Sequence, residues 1–202
     1  MIIEKITPLK KKEYRISFED AEIVLFSPTL KAFQLFEGQT LSEDILSELL
    51  EKDAALRAYD KALHFLAYQA RTMGEVEARL LKKGHAPGAV RQVLDRLRDE
   101  GLVDDAAYAR DYAAFAGGRY GRIKILNYLR NKGISKEILE HLEIEESPRS
   151  AQRELRKKFG DTLDTTRYED WVRGARFLTQ RGFTYETVKK VLGQGEEDFF
   201  QG

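Results

Sequence analysis

The feature that most constrains what this chain can fold into is a doublet recurring at a fixed interval. Lys83-Gly84, Lys132-Gly133 and Arg181-Gly182 lie 49 residues apart, and a leucine stands four positions before each glycine, at Leu80, Leu129 and Leu178. The register continues through Ala86, Ser135 and Thr184, then Val90, Leu139 and Val188, then Val93, Leu142 and Val191. Each matched residue has a physical task. A cation in the last helical turn faces the negative end of the helix dipole, and a glycine just beyond it takes the left-handed conformation that closes the helix. The residue two positions later falls where a following helix is capped. A repeat of this period is one small helical unit that cannot bury its apolar face alone, so neighbours must stack.

Three helices per unit are predicted. In the first unit, Leu56 to Tyr68 form one helix, and the Thr72-x-x-Glu75 capping box opens a second carrying Val76, Leu80 and Leu81. Val90, Val93, Leu94 and Leu97 give the third its i, i+3, i+4, i+7 stripe. Ala106 to Phe115 begin the second unit; a helix from about Ser147 to Phe159 begins the third, and the Asp/Thr-rich loop after it shifts the register. The expected fold is mainly α: tandem three-helix repeats at 53–103, 104–146 and 147–202, forming an elongated array. Residues 1–52 form a small N-terminal β-hairpin/helix cap. Its strands are read at Ile2 to Ile6, Tyr14 to Phe18 and Glu22 to Phe26, the last two as a hairpin. Ser27-Pro28 opens a short helix through Phe33 and Phe36, and Thr40 with Glu43 forms a capping box ahead of Ile45, Leu46, Leu49 and Leu50.

Composition removes several classes of function. The 202 residues hold 34 basic and 34 acidic groups, so a protein that coats DNA by bulk positive charge is disfavoured. Cysteine is absent, which excludes disulfides, thiolate catalysis and Cys-based zinc sites and suits a reducing cytoplasm. No apolar run approaches a membrane span, and Met1 to Ile6 lacks a secretory signal's pattern, so a soluble cytoplasmic protein is expected. His64, His85 and His141 stand without partners at metal-ligand spacing, and neither a phosphate loop nor a nucleophile elbow occurs. No catalytic residue, metal, cofactor or small-molecule substrate is therefore assigned, and an enzyme is not expected. Asp104-Asp105 and Glu145-Glu146 are read as capping groups, and Trp171 with Phe177 and Phe183 as core.

The charge is unevenly spread. Between Asp111 and Glu137 there is no acid, yet Arg119, Arg122, Lys124, Arg130, Lys132 and Lys136 surround Gly117, Gly118, Gly121, Tyr120 and Tyr128. A merely solubilising helix mixes signs to gain i to i+4 pairs, whereas this mixture suits phosphate or carboxylate recognition. Arg149, Arg153, Arg156, Lys157 and Lys158 form a second cluster interrupted by Glu154, and residues 1–50 are acidic, with 6 basic and 9 acidic groups. The binding face is therefore expected on the repeats.

The residues themselves carry a resemblance. Ala62-Leu63-His64-Phe65-Leu66, Arg71-Thr72, Glu75-Val76-Glu77-Ala78-Arg79-Leu80, Lys83-Gly84, Val93-Leu94-Asp95-Arg96-Leu97, Gly101-Leu102-Val103-Asp104-Asp105 and Tyr108-Ala109-Arg110 resemble the bacterial RecX regulatory proteins. The likeness continues through Arg119-Tyr120-Gly121-Arg122-Ile123 and Leu129-Arg130-Asn131-Lys132-Gly133-Ile134, and covers roughly residues 57–143. Thr72 stands where a serine is commoner, and His85 where a larger apolar residue is usual. The resemblance implies tandem three-helix repeats and a non-catalytic regulator that binds the RecA recombinase and its nucleoprotein filament. It would thereby restrain ATP turnover, strand exchange, recombination, DNA repair and the SOS response. The partner-binding residues expected from the charge distribution are Arg119, Arg122, Lys124, Arg130, Lys132 and Lys136, with Arg71 and Arg79 before them and Arg153 and Lys157 after. The other reading is an autonomous protein of helix-turn-helix-like repeats that binds single- or double-stranded DNA. Six displaced counterions would give that protein a log–log salt slope near −5, by the rule of about 0.9 per phosphate.

Overall fold

The three Lys/Arg-Gly doublets close three helices in the same way. In the computed structural model, Gly84, Gly133 and Gly182 have φ of 83°, 81° and 83°. The N–H of His85, Ile134 and Phe183 reaches back to the carbonyl of Leu80, Leu129 and Leu178, and each glycine N–H bonds the carbonyl three residues earlier. This paired closure is the Schellman motif, which leaves the helix's last carbonyls satisfied and turns the chain sharply. The three leucines are each at most 2% exposed, so every turn is pinned to a core. The structure describes residues 1–10 and 12–193; the acidic tail ending Phe199-Phe200 lies outside them.

The chain divides into two compact units between Val103 and Asp104. In the first, β1 (Lys5–Pro8), β2 (Glu13–Ser17) and β3 (Glu22–Phe26) form an antiparallel meander in the order β1-β2-β3, with Ile16 opposite both Ile6 and Ile23. Then follow α1 (Ser27–Ala32), α2 (Glu43–Leu66), α3 (Met73–Lys82) and α4 (Pro87–Asp99). Thr72 and Glu75 form the predicted reciprocal capping box on α3. In the second unit, α5 (Asp105–Ala116), α6 (Arg122–Asn131) and α7 (Lys136–Glu140) make one repeat, and α8 (Pro148–Phe159), α9 (Tyr168–Gln180) and α10 (Tyr185–Leu192) the next. Each repeat has its own buried cluster, and a fourth lies beneath the sheet. Trp171 and Phe183 are core residues of the last repeat.

Three local expectations need correction. The stripe at Ile45 to Leu50 and the helix expected from Leu56 belong to one 24-residue helix, α2, so the 52/53 boundary falls inside a continuous element. Leu49 packs under the sheet while Ala58 and Ala62 pack in the first repeat, which makes α2 a spine common to both cores. Ser42, not Thr40, caps α2 by accepting from the Ile45 N–H; Thr40 bridges to Ile2 instead. Phe26, not Ser27, is the cap residue of α1. The buried carboxylate of Asp53 explains this: its Oδ1 accepts from the Phe26 N–H at 2.7 Å and from the Thr29 hydroxyl at 2.6 Å. Its Oδ2 accepts from Arg57, which also bonds Glu13 and the Val24 carbonyl. Charge from α2 thus supplies what a local serine was expected to supply.

Within the second unit, the two repeats are joined backbone to backbone. The Gly121 N–H donates to the Arg181 carbonyl and the Ile123 N–H to the Gly182 carbonyl, both at 3.0 Å. A Cβ on Gly121 would lie 2.2 Å from the Gly182 oxygen, and one on Gly182 would lie 2.4 Å from the Lys124 nitrogen. Only glycine permits either approach. Glu146 completes the joint by accepting from the Arg122 N–H, the Thr184 N–H and the hydroxyls of Thr184 and Thr187. It therefore sits at the N-termini of α6 and α10 at once, where a carboxylate is favoured by both helix dipoles.

Candidate interaction site on the second repeat

The joint holds α6 at its first turn, and that fixes where its basic residues point. Arg122, Leu126 and Arg130 follow i, i+4, i+8 and so share one face of α6. With Ile134 from the Gly133 corner and Lys136, Leu139 and Glu140 from α7, they line an open groove of about 540 Å³. Ile134 and Leu139 are buried at its floor, while Arg130 and Lys136 are exposed at its rim and Arg122 is half-buried. Lys136 pairs with Glu140 at 3.3 Å, and Arg130 donates to Asn127 at 2.8 Å. The Arg122 guanidinium has no ion pair among the described residues. An apolar floor rimmed by three cations and one acid fits an acidic, partly apolar protein surface or a phosphate.

The other members of the acid-free stretch are differently employed. Lys124 lies over the Tyr120 ring at 4.8 Å and Lys132 over Tyr128 at 5.4 Å, the latter ring stacked on Tyr112 at 4.1 Å. Gly121 is consumed by the joint, and the Gly118 carbonyl accepts from Arg153 at 2.6 Å. Arg119 is exposed and makes no ion pair among the described residues. Lys157 pairs at 3.0 Å with Glu154, a residue only 4% exposed that also holds Arg181 at 3.2 Å. In the first unit, the Arg71 and Arg79 guanidiniums lie 4.4 and 5.5 Å from the Phe65 ring centroid, and Arg71 reaches Glu75 at 3.5 Å. Of the ten candidates, Arg122, Arg130 and Lys136 share a groove, Arg71, Arg79, Lys124 and Lys132 lie over aromatic rings, Arg153 and Lys157 bond Gly118 and Glu154, and Arg119 makes no ion pair among the described residues.

Two relevant residues escaped the sequence reading. Phe115 is 79% exposed at the end of α5, four positions before Arg119. The buried i, i+4, i+7 stripe of Ala109, Ala113 and Ala116 excludes it, which is a signal the helical period carried. Glu154, read as an interruption in a basic run, is a buried partner for two cations. Its significance depends on Arg181, 27 positions away, which no local pattern reveals. Among the described residues, no group of three or more acidic or histidine side chains is arranged to hold a metal, and no helix is long and apolar enough to cross a membrane.

Family comparisons agree with this architecture repeat by repeat. Residues 58–97 match the first three-helix domain of RecX, 104–141 the second and 145–192 the third. The chain is 34% identical over 149 residues to the Regulatory protein RecX of Halorhodospira halophila (strain DSM 244 / SL1), covering 71% of this chain and 91% of that one. It is 29% identical over 196 residues to the Regulatory protein RecX of Streptococcus sanguinis (strain SK36), covering 92% and 74%. A crystal structure of regulatory protein RecX superimposes with a TM-score of 0.71 at 26% identity, over 96% of this chain and 99% of that one. RecX from Lactobacillus salivarius, at 24% identity and a TM-score of 0.61 over 70% and 96% of the two chains, shares the fold.

Proposed function

Because the chain belongs to the RecX family of regulatory proteins, we propose that it is a non-catalytic regulator that binds RecA and its nucleoprotein filament. Binding in the cytoplasm would inhibit ATP turnover and strand exchange and so modulate recombination, DNA repair and the SOS response. The observation that carries this reading is the groove between α6 and α7, where Arg122, Arg130 and Lys136 rim an apolar floor. A filament regulator needs no reactive group; it needs a surface that binds one filament state better than another. The exposed Phe115 at the end of α5 adds an aromatic side chain of a kind enriched in protein interfaces.

The test is RecA ATPase inhibition by an Arg122→Glu/Arg130→Glu variant. Neither side chain takes part in the joint, so the variant keeps its fold while reversing the groove's charge. The expected result is at least a tenfold rise in the concentration needed for half-inhibition, consistent with the 2–5 kcal/mol range for disrupted interfacial charge pairs. Full inhibition at the original concentration removes the groove from the mechanism.

The acid-free stretch between Asp111 and Glu137 favours the second reading, a protein that binds DNA on its own. Three groove cations neutralising three duplex phosphates would give a log–log salt slope of about −3. A flat salt dependence, together with RecA binding in the absence of DNA, eliminates that alternative.

A further inference from the structure

An open cavity of about 800 Å³ in the first unit is lined by Lys12 and Glu13 of the hairpin, Phe26, the α2 residues Arg57, Asp60, Lys61 and His64, and Lys83 and His85 of the first corner. Its charges do not balance internally. Arg57 is shared between Glu13, at 2.5 Å, and the buried Asp53, so that trio carries one net negative charge, and Asp60 is the lining carboxylate outside it. Asp60 lies 3.7 Å from both Lys61 and His64. Lys12 and Lys83 make no ion pair among the described residues, and the three ammonium groups, set against Asp60 and the net charge of that trio, leave an excess of one cation.

The donor types define the ligand. The one guanidinium lining the cavity, the group best matched to a planar carboxylate, is occupied: Arg57 bonds Asp53, Glu13 and the Val24 carbonyl. What remains is ammonium and imidazole. These are compact charges able to converge radially on a tetrahedral group. We infer that this cavity binds a phosphoryl group, free or as a small monoester, between Lys12, Lys61 and Lys83, with His85 as a proton-coupled fourth donor. His85 is half-buried, and burial together with the nearby Lys61 charge lowers its pKa, which keeps the ring neutral near pH 7. An anion between Lys61 and His85 reverses that balance. Lys12, Lys83, Arg57, His64, Glu13 and Asp60 also line the cavity around the ring, but Lys61 is the charge that acts on it. The bound anion would tie the amino-terminal hairpin to the first repeat, independently of any contact with a filament.

The experiment follows the histidine ring resonances of the full chain by NMR between pH 5.5 and 8.5, with and without sulfate, a tetrahedral dianion whose charge is constant over this range. Saturation is expected to raise the His85 pKa by about one unit, within the span produced by one nearby opposite charge. By linkage, sulfate then binds about tenfold more tightly below the free-state pKa than well above the bound-state one. Sodium chloride at matched ionic strength leaves His85 where it is, and the sulfate-dependent His85 shift vanishes in a Lys61→Ala/Lys83→Ala variant. A His85 titration indifferent to sulfate, or a shift that survives in that variant, overturns the assignment. Competition by inorganic phosphate and by glycerol phosphate distinguishes the free anion from the monoester, and displacement of sulfate by neither rejects the phosphoryl assignment.

Discussion

The first and third corners have nearly the same backbone and opposite surroundings. Gly84 and Gly182 both have φ of 83°, and both lie in the same paired closure. Around a Cβ on Gly84 there is open space, while one on Gly182 would strike the backbone of Lys124. The basic residue before each glycine differs correspondingly. Lys83 faces a solvent-open cavity, whereas Arg181 lies between the Tyr120 and Phe177 rings, 5.5 and 5.2 Å from their centroids, and pairs with buried Glu154. One local motif thus serves as a free turn in one repeat and as a socket in another. A helix stop is specified by its own six residues, but its role depends on what packs against it.

The largest way to break the comparison is Ala at the two glycines. Gly84→Ala is expected to cost about 1 kcal/mol, the penalty for a side chain in the left-handed region. Gly182→Ala adds a clash that the chain must relieve by opening the joint, for a total of about 4 kcal/mol or more. Equal losses in urea unfolding of the two variants would show that the joint contributes nothing beyond the turn.

A smaller effect is expected at Glu146. Burial pushes its carboxyl upward in pKa, but the Thr184 and Thr187 hydroxyls and the Thr184 and Arg122 amides outweigh this and hold it below the ordinary glutamate value. A carboxyl lowered in the folded state adds stability above its unfolded pKa, about 4.3, and loses it as the pH falls through the folded value. Glu146→Gln should therefore cost about 2 kcal/mol at pH 7, by the loss of charge-assisted bonds. The difference from the parent should shrink steadily below about pH 4.5, and a gap independent of pH would contradict the anion's role at the two helix starts.

The smallest effect sharpens the comparison of the basic residues. Arg181→Lys retains a charge for Glu154 but gives up the flat guanidinium between two rings, at about 1 kcal/mol. Lys83→Arg, facing open solvent, should fall within about 0.5 kcal/mol of zero. Thermal unfolding of the two conservative variants separates them, and identical shifts would place both residues on the same footing.

Much of the fold was legible because much of it is local. The closures after Leu80, Leu129 and Leu178, the capping box at Thr72 and Glu75, the hairpin of β2 and β3 and the helix starts at Asp104 and Ser135 all follow from residues a few positions apart. The errors at Thr40 and Ser27 arose where a distant group competed with the local one: Ile2 bridges Thr40, and Asp53 bonds the start of α1. For the candidate site, the acid-free stretch pointed to the segment that carries the α6–α7 groove. Three of its six cations line the α6–α7 groove, and the tertiary structure directs Lys124 and Lys132 onto tyrosine rings.

Local sequence alone determined the number of helical units, where each helix stops and which face of each is apolar, since hydrogen-bond closure and side-chain periodicity act over one or two turns. Only the tertiary structure decided that Gly121 meets Gly182, that Glu146 bonds α6 and α10 together, and that the first corner stays open beside a cationic cavity. Those contacts join positions 38 or more residues apart for Glu146 with Thr184, and 61 apart for the glycines. At such separations chain entropy erases any local preference, and which groups meet is set by how the packed cores fit.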